Sequence, residues 1–255
     1  MTKKKSKFSS ETTASDLQMD FRQQLALSFE QSPLDTEDKL FNLGLYVRSA
    51  LLTKFLVMND LYKRVKNAPG ILVEFGIWYG QNLVLLENLR AIHEPFNKQR
   101  KIVGFDTFEG YRGFSNNDKK SQIFDPNSYS TGKDYKKYLR DLLEIHEGNN
   151  AFGHTRNVHE LVEGNVINTV PAYFEKNQQD LVAFAYFDMG LYEPTKKCLD
   201  VIMDRLVPGS VILFDELCWK EAPGETIAFR EVFAGKKYKL EKCELFPSKS
   251  ILTVL

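Results

Sequence analysis

From residue 71 onward the chain alternates short apolar runs with stretches of helical period, and this alternation constrains its fold most. Ile71–Phe75, Lys101–Phe105, Val158–Glu163, Leu181–Phe187 and Ser210–Phe214 read as strands. The matching helices are Gln81–Ile92, Lys133–Glu147, Val166–Glu175, Pro194–Leu206 and Gly224–Phe233. Two further strands, Cys243–Pro247 and Ser250–Val254, close the chain. Repeated strand–helix units of this length predict an α/β fold, a mostly parallel sheet covered by helices on both faces. The closing pair is near enough in sequence to form an antiparallel hairpin at one edge. Between the second strand and its helix, Asn116–Gly132 is polar, aromatic-bearing and aperiodic, which suits a lid or binding loop.

Two helices precede this pattern. Leu17, Phe21, Leu25 and Phe29 recur every fourth residue. Asp35 or Thr36 can cap a second helix carrying Leu40, Leu43, Val47, Leu51, Phe55 and Met58. Residues 17–70 thus form a helical cover, suited to a ligand mouth or a partner subunit, and 71–255 form the α/β domain. Residues 1–16, with Lys3, Lys4, Lys5 and Lys7 ahead of a Ser/Thr-rich stretch, read as a disordered tail rather than a phosphate-binding arm.

At 255 residues and 43% hydrophobic, the chain can bury one large core. Its 34 basic and 34 acidic residues cancel, so no global field draws it to nucleic acid or an anionic membrane. No apolar stretch reaches the roughly 18 residues of a membrane span, and no secretion signal is read. Cys198, Cys218 and Cys243 are scattered and odd in number, which fits a reducing cytosol.

Carboxylates stand where core strands end. Asp188 follows Val182–Phe187, and Asp215 and Glu216 follow Val211–Phe214. Consecutive parallel strands lying side by side would open both ends on one crevice. Like charges this close repel, and a hard divalent cation such as Mg²⁺ resolves the conflict while leaving positions for substrate oxygens. A hydroxyl bound there has its pKa lowered and is held for attack. The plainer alternative makes Asp188 and Asp215 caps of the turns that follow them.

The first strand turns through Glu74-Phe-Gly76-Ile-Trp-Tyr-Gly80 into its helix. Gly76 permits a tight turn and Gly80 a close helix contact. Trp78 occupies the place of the middle glycine of a dinucleotide fingerprint, so a ligand without phosphates fits better, and Glu74 suits a cationic amino group. Asp106, ending the second strand, is placed to accept two ribose hydroxyls. Glu163 and Asn165 end the third strand and can read adenine polar atoms, although Asn165 equally suits a helix cap. Cofactor chemistry is favoured over a binding module. Zinc is disfavoured, because His146, His154 and His159 have no HxH or HExxH spacing. His154 or His159 can be read as a base, but a solvent-facing or core-edge histidine is the plainer reading of either. No Gly-x-Ser-x-Gly or Walker loop occurs. Tyr192 and Trp219 lie beside the acids and can line an acceptor pocket or simply pack.

Five segments together carry a family likeness: Val73–Gly80, Gly104–Gly110, Leu161–Pro171, Phe187–Thr195 and Pro208–Glu216. In order and spacing the sequence resembles the class I S-adenosylmethionine-dependent methyltransferases of the macrocin O-methyltransferase type, which act on sugars of macrolides and aminocoumarins. The resemblance implies a Rossmann-like, seven-stranded domain with an N-terminal helical extension. It implies S-adenosylmethionine held by the first three segments, through Glu74, Gly76, Tyr79, Gly80, Asp106, Thr107, Glu163, Gly164 and Asn165, with Asp188 beside them. It also implies Mg²⁺ or another divalent cation on Asp188, Asp215 and Glu216, and Asp188 as base for an acceptor hydroxyl on a possibly glycosylated small molecule. Homo-oligomers built through the N-terminal helices are a further expectation. Two positions depart from the family pattern, Gly190 in place of an Asp and Glu216 in place of the second Asp of a pair. Two alternatives stay open here. A nicotinamide-dependent oxidoreductase is one, opposed by Trp78. A non-catalytic subunit is the other, supported by Gly190 and Glu216.

Overall fold

The computed structural model describes residues 14–119, 124–132, 134–150 and 158–255. The basic N-terminal block and His154 lie outside them. The chain divides into two compact units, one running through Lys54 and one from Phe55 to the C-terminus.

In the first unit, Ser15 opens α1 (Asp16–Glu30) with a capping box, exchanging hydrogen bonds with Gln18. Asp35 caps α2 (Thr36–Phe41) by accepting from the Asp38 N–H at 2.9 Å. The single second helix expected from the sequence is instead three pieces. A 3₁₀ turn over Leu43–Tyr46 follows α2, and α3 (Ser49–Val65) begins after it. Asn42 ends α2 by turning its amide back onto the Asp38 carbonyl, at 2.9 Å, and Gly44 follows with weak helix preference. Leu17, Phe21, Leu40 and Phe41 all stay exposed, Phe41 at 91%.

The second unit takes in the later turns of α3, whose Val57, Met58, Leu61, Tyr62 and Val65 are buried. Five parallel strands follow: β1 (Ile71–Phe75), β2 (Ile102–Asp106), β3 (Glu160–Glu163), β4 (Val182–Phe187) and β5 (Leu206–Phe214). The helices between and after them are α4 (Gln81–His93), α5 (Tyr135–Asn150), α6 (Val166–Lys176), α7 (Tyr192–Ile202) and α8 (Pro223–Val232). Two antiparallel strands, β6 (Tyr238–Lys242) and β7 (Ser250–Val254), complete a seven-stranded sheet of order β3-β2-β1-β4-β5-β7-β6. This is the Rossmann-like α/β architecture expected. The correction concerns β6, which precedes the stretch Cys243–Pro247. That stretch forms the hairpin turn, because Pro247 lacks a ladder donor and Lys249 N–H bonds back to the Phe246 carbonyl. The edge strand itself alternates Tyr238 and Leu240 with charged residues, which guard a free edge.

One core cluster packs α3, α4 and α5 against one sheet face, and the other packs α6, α7 and α8 against the opposite face. Registers bring Phe105, Phe75, Phe187 and Phe214 into a single transverse rank at the ends of the four central strands. Their rings lie 5.3, 4.8 and 5.3 Å apart along the rank. Each phenylalanine is followed by a residue of the next row, namely Asp106, Gly76, Asp188 and Asp215. The ladder bonds continue through this row, with Gly76 N–H donating to Phe105, Asp188 to Phe75 and Asp215 to Phe187.

At the amino end of the sheet, His159 meets a buried network. Its Nε2 lies 2.7 Å from Glu87, which also pairs with Arg90, while its Nδ1 accepts from the Ile102 N–H. Burial raises the Glu87 pKa, but His159 and Arg90 outweigh it and hold the group at about 2. An acid depressed this way contributes full stability above its unfolded pKa, near 4.5, and loses it as pH falls toward 2. Wild type is therefore expected to lose about 3 kcal/mol over that window through this one group. Denaturant unfolding between pH 2 and 5 checks it, since Glu87→Gln should flatten the acid limb.

Candidate active site

The β1–β4 junction is where the strand order reverses, so the crevice at the carboxyl ends of these strands is the expected ligand position. The second row of residues lines it. Gly76 takes φ +84°, and a Cβ there would overlap the Asp188 carbonyl oxygen, so only glycine lets β1 leave the sheet this close to β4. Trp78 in the same turn has φ +48°, an uncommon conformation for a bulky residue.

The Asp106 carboxylate braces that turn. Its Oδ2 accepts from the Ile77 and Trp78 N–H groups, both at 2.8 Å, and Oδ1 accepts from Phe108 at 2.7 Å. Burial raises its pKa against the pull of these donors, and Asp188 adds to the rise. Of about four lone-pair positions on a carboxylate, one remains, on Oδ1. Glu74 is buried beneath the row and accepts from Asn82 at 2.6 Å, tying β1 to α4. Gly80 caps α4 where Leu139 of α5 packs, 2.5 Å from where a Cβ would stand.

The remaining cofactor candidates are arranged locally. The Tyr79 ring lies tilted against Trp78, and its carbonyl accepts from the Tyr135 hydroxyl. Thr107 bonds the Gly110 carbonyl at 2.6 Å. Gly164 N–H donates to the Asp106 carbonyl. Glu163 is exposed and paired with Lys136 at 2.9 Å. Asn165 caps α6 by accepting from the Ile167 N–H at 3.0 Å.

Asp188, Asp215 and Glu216 converge, each offering an oxygen within 4.8 Å of the others. The cap on α7 comes from Asp118, which accepts from the Tyr192 N–H at 2.7 Å, so Asp188 is not spent on it. Glu216 is buried, and its Oε2 finds no hydrogen-bond partner among the described residues. An all-carboxylate donor set with one orphaned oxygen fits a hard divalent cation.

Four contributors escaped the sequence reading. Glu225 of α8 is fully buried, accepts from the Glu216 N–H at 2.6 Å and faces the Glu216 carboxyl. Burial first, then their mutual repulsion and Asp188, push the Glu216 pKa upward. Tyr186 and Lys249 both reach Asp215 Oδ1. Burial, and then the charges of Glu216, Asp188, Tyr129 and Asp106, hold the Tyr111 phenol above the usual range. Its ring touches Phe114, Phe124 and Tyr129.

The departure at Gly190 has a packing reason. The Phe124 ring occupies the space, lying 2.5 Å from where a Cβ would be. Trp219 stands 5.7 Å from that same ring, whereas Tyr192 points its hydroxyl to Glu231 at the surface.

Residues 57–234 match the family described as Macrocin-O-methyltransferase (TylF). The chain belongs to the macrocin O-methyltransferase family. It is a class I S-adenosylmethionine-dependent O-methyltransferase acting on a small polar molecule, and this decides against the nicotinamide alternative. A crystal structure of CalS11, a calicheamicin methyltransferase, is 37% identical over 95% of this chain and 94% of that one, with a TM-score of 0.90. An apo structure of CalS11, described as a TDP-rhamnose 3'-O-methyltransferase of calicheamicin biosynthesis, is 36% identical over 95% and 96%, with a TM-score of 0.83. The O-methyltransferase NovP, at 16% identity over 80% of each chain and a TM-score of 0.62, shares the fold. A comparison with curated proteins returns no match. No helix among the described residues of this family member is long and apolar enough to cross a membrane.

Proposed function

We propose that this protein methylates a hydroxyl of a sugar, carried on a nucleotide or on another small molecule, with Mg²⁺ or a similar divalent cation on Asp188, Asp215 and Glu216. The observation that carries the reading is the convergence of these three carboxylates at the ends of β4 and β5, beside the Gly76 turn. When bound, S-adenosylmethionine supplies an electrophilic methyl group and the cation acidifies the acceptor hydroxyl. Asp188, in the row with Gly76 and Asp106, takes the hydroxyl proton. Asp106 fixes the glycine turn and offers its remaining lone pair to a ribose hydroxyl. Glu74 sits on the cofactor's amino-acid side, and Thr107, Tyr79, Glu163, Gly164 and Asn165 frame the nucleoside side.

The likeness to CalS11 supports a nucleotide-linked deoxysugar as acceptor. Exposed Leu17, Phe21, Leu40 and Phe41 support self-association through the first unit, which sedimentation equilibrium would reveal as mass above 29.4 kDa. Three free cysteines support a reducing compartment. Isothermal titration with S-adenosylhomocysteine, with and without Mg²⁺, tests the central reading. Heat in at least one condition is expected, and its absence in both would retire it.

A further inference from the structure

Lys249 reaches the acidic corner by strand register. Phe214 of β5 pairs with Ser250 of antiparallel β7, so one further step sets Asp215 opposite Lys249. Both backbone groups of Lys249 are pinned by the hairpin, its N–H on the Phe246 carbonyl and its carbonyl on the Cys243 N–H. The ammonium pairs with Asp215 Oδ1, the oxygen that also receives the Tyr186 hydroxyl. It lies 2.9 Å from that hydroxyl, and 5.4 and 4.9 Å from the Tyr186 and Phe246 ring centres. Only 11% of the lysine side chain is exposed, so solvent screens it weakly.

We infer that Lys249 is a resident counter-cation of the metal site: it holds the carboxylates together without a divalent ion and lowers their affinity for one. The inference rests on the metal reading proposed above. Four carboxylates, Asp188, Asp215, Glu216 and Glu225, share this corner, and among the described residues Lys249 contacts them through Asp215. The sign of its effect follows from charge. A bound dication makes the acidic corner more positive than it is when empty, whatever proton the carboxylates carry. The lysine is therefore attracted more strongly to the empty site than to the loaded one, and it repels the incoming ion. Removing it costs the empty state more, so affinity for the dication must rise. Lys249 is a positioning residue, since it acts through Asp215.

The test titrates MgCl₂ into the full chain without cofactor, read by calorimetry and by the melting temperature in EDTA and in Mg²⁺. Lys249→Met is expected to bind Mg²⁺ about tenfold tighter or more, to melt lower in EDTA, and to gain more from Mg²⁺ than wild type. Lys249→Arg, which keeps the charge, should stay within about threefold of wild type. If Lys249→Met does not fold, Lys249→Gln must show the same tightening. Equal or weaker Mg²⁺ binding in the neutral variants overturns the role of Lys249 alone. No Mg²⁺ response in any protein, wild type included, overturns the metal reading and this inference with it.

Discussion

Turnover of Asp188→Asn is expected to fall at least about a thousand-fold, because one substitution removes both the proposed base and a proposed cation ligand. Asparagine preserves volume and one carbonyl acceptor, so the fold and the Gly76 turn should survive. Affinity for S-adenosylhomocysteine should then fall by no more than about tenfold. Steady-state rates with a nucleotide-linked deoxysugar, set beside calorimetry with S-adenosylhomocysteine, separate the two effects. Turnover within tenfold of wild type would mean that Asp188 neither takes the proton nor holds the ion.

The second large effect is on stability. Gly76→Ala places a Cβ against the Asp188 carbonyl oxygen and close to Met189 Cγ, at a φ of +84° that an L side chain rarely adopts. The nearer obstacle is backbone and cannot swing aside as a rotamer, although the Met189 side chain can. The ends of β1 and β4 must part, at a cost of about 3 kcal/mol or more. In a unit of about 200 residues this lowers the melting temperature by roughly 6–12 °C. Gly44→Ala is the control, because nothing lies within 4 Å of a Cβ there. Its stability should stay within about 0.5 kcal/mol of wild type. Equal melting of the two variants would show that the Gly76 turn can relax.

The sheet and the acidic row were legible because each central strand announces itself twice, by an apolar run and by the residue that ends it. Phe-Asp at 105–106 and 187–188, Phe-Gly at 75–76 and Phe-Asp at 214–215 are one signal repeated across four strands. What hid from the sequence depends on tertiary pairing. Lys249 meets Asp215 only once β7 is known to lie against β5, and misplacing β6 by several residues obscured that hairpin. Glu225 does carry a sequence signal, since it shares a helix face with the buried Ala228 and Phe229. Tyr111 lies in the aperiodic connection after β2, where no period tells which aromatic turns inward. Asp106 ends β2 at the mouth as its position in the sequence implies, but two of its three backbone donors come from a turn whose geometry follows from Trp78 and Gly76 rather than from spacing, and the third from Phe108 two residues on.

The rank of four phenylalanines beneath the acids carries a consequence for folding. Side chains alternate along a strand, so sliding β2, β4 or β5 by one residue would trade a ring for an aspartate. The misaligned chain would bury Asp106, Asp188 or Asp215 among apolar neighbours and push a phenylalanine into water, two penalties from one error. The groups that equip the crevice for chemistry thereby act as a check on assembly, and a sheet that closes in the wrong alignment is rejected on energetic grounds before any substrate arrives.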